Sequence, residues 1–190
     1  GIHWLSRHLA RIEEAAQRLD FHWPTPVSEL ANCLRAVAAA NGVAEGVLRL
    51  TLSRGQSARG LSPAGASQPT LLITQSALPE DLASRWHSGY RLVRTPWRKP
   101  APDMLPAWAK HGNYLGAILA LRAAQEAGAD DALLCTHDGL AAEATTSNLF
   151  FLIDGQLHTP DLTSGALPGI LRAAVLECAG ALGLPTVQGP

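Results

Sequence analysis

The sequence contains very little lysine. Of its 15 basic residues only Lys99 and Lys110 are lysines, and all the others are arginines. A GC-rich coding bias explains such an imbalance as well as a functional cause does. In either case, amine chemistry in this chain depends on very few side chains.

Cysteine is also scarce, and long apolar runs are absent. Cys33, Cys135 and Cys178 are odd in number, far apart and without Cys-x-x-Cys spacing. We therefore expect small core residues rather than disulfides or metal ligands. The sequence has no secretory apolar region and no apolar stretch of about twenty residues. These absences predict a reduced, cytoplasmic protein that does not associate with membranes.

The chain has few charged residues and almost no net charge. Charged residues make up 16% of it, and the formal net charge is −1, which gives no electrostatic case for binding nucleic acid. Basic residues do cluster around Trp97, at Arg91, Arg94, Arg98 and Lys99. Because the net charge of the chain is close to zero, a solvated loop is favoured over a nucleic-acid-binding patch at this cluster.

Several common functional motifs are missing. The sequence has no Gly-x-Gly-x-x-Gly, Walker A, His-Glu-x-x-His or Gly-x-Ser-x-Gly pattern. Its seven histidines show no paired ligand spacing, so no metal site is predicted.

The spacing of apolar residues predicts a mixed α/β chain. Helices are expected at 6–20, 28–40 (capped by Ser28), 113–127 and 168–183, and strands at 46–53, 70–74, 90–95, 132–135, 149–153 and 156–159. Asp154-Gly155 is typical of a tight hairpin turn. With 47% hydrophobic residues the chain can bury a core. The proline-rich stretch 96–106 is the expected link between a small N-terminal lobe, 1–97, and a larger C-terminal lobe, 98–190.

Three features of the second half together suit one cofactor. Lys110 precedes a helix, Glu143 lies in a small polar run between strands, and residues 164–170 lead into the last helix. A lysine amine forms an imine with an aldehyde, and a carboxylate facing a pyridine nitrogen keeps that nitrogen protonated. A helix N-terminus preceded by glycine is a natural seat for a phosphate.

Each of these features also has an ordinary structural explanation. A lysine before a helix is usually solvated, Glu143 could cap a loop, and Pro168-Gly169 is common at a helix start. Residue types and spacing alone do not decide between the two interpretations.

A longer set of motifs does distinguish a cofactor site from ordinary structural roles. These are His8-Leu-Ala-Arg11-Ile12, Lys110-His-Gly-Asn113, 127–134 with Asp138-Gly139, Glu143-x-x-x-Ser147-Asn148-Leu149-Phe150, 154–160, and Ser164-Gly165 through Arg172. In this order and over nearly the whole chain, the set resembles the aminotransferase class IV family, the fold type IV enzymes that depend on pyridoxal phosphate. That family comprises branched-chain aminotransferases, D-amino-acid aminotransferases and 4-amino-4-deoxychorismate lyases.

The resemblance implies two α/β lobes with pyridoxal 5′-phosphate between them, usually in a homodimer. Lys110 would be the catalytic lysine that binds the cofactor covalently, Glu143 would pair with the pyridine nitrogen, and Arg11 would bind the phosphate. The other implied cofactor-binding residues are Tyr114, Ser147, Asn148, Gly169, Ile170 and Leu171. Arg49 or Arg59 would pair with a carboxylate of the small-molecule substrate.

The sequence departs from the family pattern in three places. Leu171 stands where the transaminases usually have threonine, which removes one hydroxyl donor. Arg59 aligns with the substrate-binding arginine of D-amino-acid enzymes, but the histidine two residues beyond it is Leu61 here. The family's chains also extend further at both ends, so we expect the sequence to be truncated at both ends.

These details favour one reaction within the family. Lys110-His-x-Asn113 and the missing threonine are similar to 4-amino-4-deoxychorismate lyases, which release pyruvate to leave p-aminobenzoate for folate biosynthesis. The alternative is a transaminase of the D-amino-acid or branched-chain type, which moves an amine to a 2-oxo acid. A remote alternative is a non-catalytic relative that only binds a partner.

Overall fold

The structure, a computed structural model, describes residues 1–42 and 45–189. Contacts between Cα atoms divide the chain into two compact units, Gly1–His87 and the part from Ser88 onward. This boundary lies ten residues before the expected one at 97/98. The difference arises because strand β3 (Leu92–Arg98) pairs with β4 (Asp131–Cys135), a strand of the second unit.

The first unit packs two helices on a β-hairpin. It consists of α1 (Leu5–Arg18), α2 (Val27–Asn41), the antiparallel strands β1 (Gly46–Ser53) and β2 (Thr70–Ala77), and the short helix α3 (Leu82–Ser88). Its core contains Leu9, Leu30, Ala31 and Leu34, against which Leu48, Leu50, Leu71 and Ile73 of the strands pack. Because side chains alternate along a strand, Arg49 lies on the exposed face of β1.

Helix α2 begins one residue earlier than expected, and Ser28 does not cap it. No side chain caps this helix, and the carbonyl of Pro26 accepts the first two hydrogen bonds, from Glu29 N (3.0 Å) and Leu30 N (3.1 Å). Proline suits this position because its fixed φ favours a helix start. Ser28 therefore lies inside the first turn, where its hydroxyl cannot act as a cap.

The second unit is built on two three-stranded sheets. In the first, β3 runs parallel to β4, and β5 (Ala141–Ala144) pairs antiparallel to β4. Helix α4 (Leu115–Glu126) connects β3 to β4 and packs against both strands. The core between them consists mainly of alanines, at Ala120, Ala124, Ala129 and Ala132, together with Leu134. These short side chains let the helix lie close to the sheet.

The second sheet joins the hairpin of β6 (Phe151–Ile153) and β7 (Gln156–Pro160) to β8 (Thr186–Gly189), which is parallel to β7. Asp154 and Gly155 have φ values of 49° and 76°, the left-handed pair that a two-residue hairpin requires. Helix α5 (Ile170–Ala181) lies between β7 and β8 in the sequence. In the described part of the chain, no helix combines the length and the apolar character that crossing a membrane would need.

Candidate active site

A cavity in the second unit brings several of the expected site residues together. Its lining comes from residues 98–117, from β5 with the turn that follows, and from Leu167. Its volume is about 120 Å³. Pockets that enclose small ligands usually measure about 300 Å³ or more, so this cavity accounts for part of a ligand site.

Glu143 is a strand residue whose side chain lines the cavity. It pairs with Leu134 across the sheet and forms an isolated bridge with Asn148. The turn between them is closed by Ala144 N, which donates to the carbonyl of Ser147 (2.8 Å). Only 8% of Glu143 is exposed. A buried carboxylate needs partners that compensate for its lost hydration.

Three groups provide that compensation. The Lys99 ammonium forms an ion pair with Glu143 Oε1. Leu167 N donates to Glu143 Oε2 at 2.8 Å, and Asn148 Nδ2 approaches the same oxygen at 3.5 Å. Glu143 is thus more than a loop cap, because its carboxylate joins β3, β5 and the segment before α5.

The position of Lys99 corrects the expectation of a solvated basic loop around Trp97. Arg94, Trp97 and Arg98 belong to strand β3, because the parallel pairing with β4 extends to Arg98. Lys99 follows directly, and its backbone N donates to the carbonyl of Cys135 (2.8 Å). Its side chain is 20% exposed and faces Glu143. Sequence reasoning missed this residue as part of the site, although it is one of only two lysines.

Lys110 lines the same cavity but is held differently. It is exposed, and its Nζ lies 6.0 Å from the centre of the Tyr114 ring. Within residues 1–42 and 45–189 its ammonium has no hydrogen bond or ion pair. An amine attacks an aldehyde only after losing its proton, and an ion pair stabilises the protonated form. Of the two lysines, Lys110 is the one that is free to react.

His111, next to Lys110, is the second residue that sequence reasoning did not assign to the site. Burial lowers the pKa of its imidazole, and the positive charge of Lys99 lowers that pKa further, while a backbone hydrogen bond opposes the shift. The ring is therefore neutral at neutral pH. In agreement, its Nδ1 accepts a hydrogen bond from Asn113 N at 3.2 Å.

The cavity favours anionic ligands. Its charged lining residues are Arg98, Lys99, Lys110 and Glu143. Three cations therefore face one carboxylate within the described lining, and the local charge is positive.

The start of α5 has the properties of a phosphate seat. No side chain caps the helix at Gly169, so the N–H groups of Ile170 and Leu171 have no acceptor in the described chain. A Cβ on Gly169 would lie 2.0 Å from Asn148 Oδ1, and Asn148 Nδ2 donates to the carbonyl of Leu167 (2.9 Å). A side chain at position 169 would therefore displace the Asn148 amide where the turn after β5 meets the start of this helix.

The three arginines expected to bind phosphate or substrate lie in the first unit. Arg11 is half-buried on α1, Arg49 is exposed on β1, and Arg59 is exposed in the loop between β1 and β2. Their roles stay predictions, as does that of Ser147, which is exposed in the turn after β5. The described residues contain no group of three or more histidine, cysteine or acidic side chains that could hold a metal.

Comparison with known proteins establishes the family. The family model for amino-transferase class IV matches residues 1–190. The chain belongs to the aminotransferase class IV family. Members of this family are transaminases or lyases that depend on pyridoxal phosphate. The branched-chain-amino-acid aminotransferase of Escherichia coli is 29% identical over 179 residues, which cover 93% of this chain and 58% of that protein.

Solved structures confirm the mixed α/β, fold type IV prediction. The structure of the Escherichia coli branched-chain aminotransferase matches with a TM-score of 0.90 at 27% identity, over 97% of this chain and 62% of that one. A proposed 4-amino-4-deoxychorismate lyase of Legionella pneumophila matches with a TM-score of 0.89 at 26% identity, over 98% and 67%. The chain spans 58% to 65% of the length of three curated relatives that it matches.

The predicted cofactor is the one that this family uses, and the described residues fit it. Another branched-chain amino acid aminotransferase, solved in complex with N-(5′-phosphopyridoxyl)-L-glutamate, matches with a TM-score of 0.87 at 30% identity, over 97% of this chain and 60% of that one. In the present structure the free amine of Lys110, the carboxylate of Glu143 and the uncapped start of α5 are the groups that an aldehyde, a pyridine nitrogen and a phosphate need. Glu143 can still accept a hydrogen bond, because a carboxylate has about four acceptor positions.

Proposed function

We propose that the chain forms the cofactor-binding part of a transaminase, which moves an amine from an amino acid to a 2-oxo acid. The observation that best supports this proposal is that the two lysines have different ionic surroundings. Lys99 is paired with Glu143, whereas Lys110 lines the same cavity without an ionic partner in the described chain. Three curated relatives that this chain matches carry the names of branched-chain aminotransferases, which favours amine transfer.

Each residue has a separate task in this proposal. Pyridoxal phosphate supplies an aldehyde for covalent attachment and a ring that withdraws electrons from the reacting carbon. Lys110 would hold the cofactor and move the proton at the substrate α-carbon. Glu143 would accept a hydrogen bond from the ring nitrogen. The N–H groups of Ile170 and Leu171 would hold the phosphate, a task that the family resemblance also gives to Arg11.

The substrate carboxylate is assigned to Arg49 or Arg59. A D-amino-acid type of clamp would need a histidine two residues after Arg59, but Leu61 stands there with its side chain fully exposed. This departure favours a branched-chain type of substrate over a D-amino acid. A homodimer, implied by the family resemblance, and a cytoplasmic location, expected from the cysteine pattern and the sequence composition, are part of the same proposal.

A lyase that acts on 4-amino-4-deoxychorismate is the second candidate, and the sequence taken alone favoured it. The spacing from Lys110 to Asn113 and the leucine at position 171 support it, as does the structural match to the Legionella pneumophila protein. Such an enzyme carries out only one half-reaction, so it needs no carboxylate clamp that serves two different substrates. A non-catalytic relative is disfavoured, because Lys110, Glu143 and the uncapped start of α5 are all present.

Parallel assays of the two reactions distinguish the candidates. We expect amine transfer from branched-chain amino acids to 2-oxoglutarate to exceed pyruvate release from aminodeoxychorismate. The first is measured by the new 2-oxo acid and the second by a coupled pyruvate assay, with a Lys110→Ala variant as the blank for both. Pyruvate release without amine transfer would make the lyase the correct assignment.

A further inference from the structure

The carboxylate of Glu143 has its two oxygens engaged by different partners. Oε1 faces the Lys99 ammonium, and Oε2 accepts from Leu167 N at 2.8 Å and lies 3.5 Å from Asn148 Nδ2. Of these three donors only Lys99 carries a charge. One ionic partner and two neutral donors therefore hold the carboxylate in its orientation.

The fold holds the Lys99 side chain in this place. Its backbone is anchored by the hydrogen bond to Cys135 at the end of β4, and its aliphatic stem passes Gly165. A Cβ on Gly165 would lie 3.3 Å from Lys99 Cγ and 2.9 Å from the carbonyl oxygen of Pro100. The φ of Gly165, +82°, is also a value that favours glycine. Glycine at position 165 thus leaves room for the lysine stem beside the loop.

The pair is also sheltered from water. The side chains of Lys99 and Glu143 are 20% and 10% exposed. The other titratable groups that line the cavity are Arg98, Lys110, His111 and Tyr114, and the structure pairs none of them with Glu143. Without the Lys99 ammonium, only two neutral donors would hold the Glu143 carboxylate in its orientation.

We propose that Lys99 is a positioning residue of the active site, whose ammonium holds the Glu143 carboxylate turned toward the cavity. The inference deepens the proposed function and rests on the role of Glu143 beside the ring nitrogen. The two lysines of the chain then have different tasks: Lys110 reacts, and Lys99 is the fixed counterion. A Glu143 carboxylate turned away from the ring nitrogen could not stabilise a proton there, so loss of Lys99 would weaken catalysis without removing a group that reacts.

The test compares Lys99→Met and Lys99→Gln, which remove the charge, with Lys99→Arg, which retains it. Arg122→Met is the matched control, because it removes a cation from an exposed ion pair with Glu126 on α4. Two variants that remove the charge keep the test valid if one of them folds poorly. Thermal unfolding identifies the variants that are folded.

The first readout needs no cofactor. Because the charge of Lys99 lowers the pKa of His111, we expect that pKa, measured by NMR, to rise in Lys99→Met and to stay low in Lys99→Arg and Arg122→Met. We also expect the carboxylate stretching band of Glu143 in the infrared spectrum to shift in Lys99→Met and to keep its position in Lys99→Arg. The shifted band should be absent from the double variant Lys99→Met/Glu143→Gln, which assigns it to Glu143.

The second readout is turnover with cofactor bound. We expect kcat to fall about 10- to 100-fold in Lys99→Met, with KM nearly unchanged. Activity falls by this much at metal sites when a residue that hydrogen-bonds to a metal ligand is replaced. Lys99→Arg should recover most of the lost kcat. An unchanged infrared spectrum together with unchanged kcat in Lys99→Met would overturn the inference. If the infrared band shifts but Glu143→Gln itself turns over normally, Lys99 does position Glu143, and the proposed role of Glu143 at the ring nitrogen is wrong.

Discussion

Replacing Lys110 by alanine is expected to lower turnover by a factor on the order of 10³ or more. General acid–base catalysis alone contributes about 10²- to 10⁴-fold, and the covalent attachment of the cofactor is lost as well. The fold should be unaffected, since the Lys110 side chain is exposed and has no hydrogen bond or ion pair among the described residues. Initial rates at saturating cofactor and the thermal unfolding temperature measure the two effects separately.

Two further variants sharpen this prediction. Lys110→Arg keeps the positive charge but has no amine that can lose its proton, so it should be as inactive as Lys110→Ala. A small primary amine added to Lys110→Ala should restore part of the rate by moving the proton in place of the missing side chain. If Lys110→Arg kept turnover within a few-fold of the parent protein, the reacting lysine would have to be Lys99.

Replacing Glu143 by glutamine is expected to lower turnover about 10²- to 10³-fold while the protein still binds cofactor. An amide cannot provide the negative charge that stabilises a protonated ring nitrogen, and removing one preorganised electrostatic contact typically costs this much. The loss corresponds to about 3 to 4 kcal/mol of transition-state stabilisation. Turnover and the cofactor absorbance spectrum are measured on the same preparation.

The controls for Glu143 follow from its contacts. Glu143→Gln leaves Lys99 without its anionic partner, so the double variant Lys99→Met/Glu143→Gln separates the loss of the carboxylate from the effect of an unpaired cation. Glu126→Gln removes an exposed carboxylate of α4 and should be harmless. A Glu143→Gln variant with nearly normal turnover would mean that Glu143 serves only to hold the segment around Leu167.

Elements with a clear periodic pattern were predictable from the sequence. Strand β1 has the predicted bounds, since its leucines alternate with exposed residues. Helix α4 and the Asp154-Gly155 hairpin also formed as expected, because helix-forming alanines and leucines and a Gly turn are local signals.

Elements that depend on distant partners were not predictable. Strand β8 (Thr186–Gly189) is short and has no alternating apolar pattern, and it forms through parallel pairing with β7. Strand β5 (Ala141–Ala144) includes the first part of the run around Glu143, which was expected only to separate two strands. It is a strand because β4 pairs with it. Helix α3 (Leu82–Ser88) has no buried residue, and therefore no apolar face that the sequence could reveal.

Part of the cavity lining was expected from the sequence. Lys110, Tyr114, Glu143, Ser147 and Asn148, which the family resemblance assigned to one site, line one cavity, and their roles stay predictions. The pairing of Lys99 with Glu143 was missed, because these residues are 44 positions apart in the sequence and meet only through β3, β4 and β5. In the sequence Lys99 also follows Arg91, Arg94 and Arg98, and it was therefore interpreted as part of an exposed basic cluster.

Reduction with sodium borohydride after incubation with pyridoxal phosphate tests most directly whether Lys110 is the lysine that reacts. The reagent makes a cofactor–lysine bond permanent, and peptide mapping then locates it. Lys99 and Lys110 are the two side chains that can carry the label, and the peptide map separates both from the α-amino group of the chain. We expect the label on Lys110 in the parent protein and in Lys99→Arg, and none in Lys110→Ala. Label on Lys99, or on neither lysine in the parent protein, would contradict the assignment.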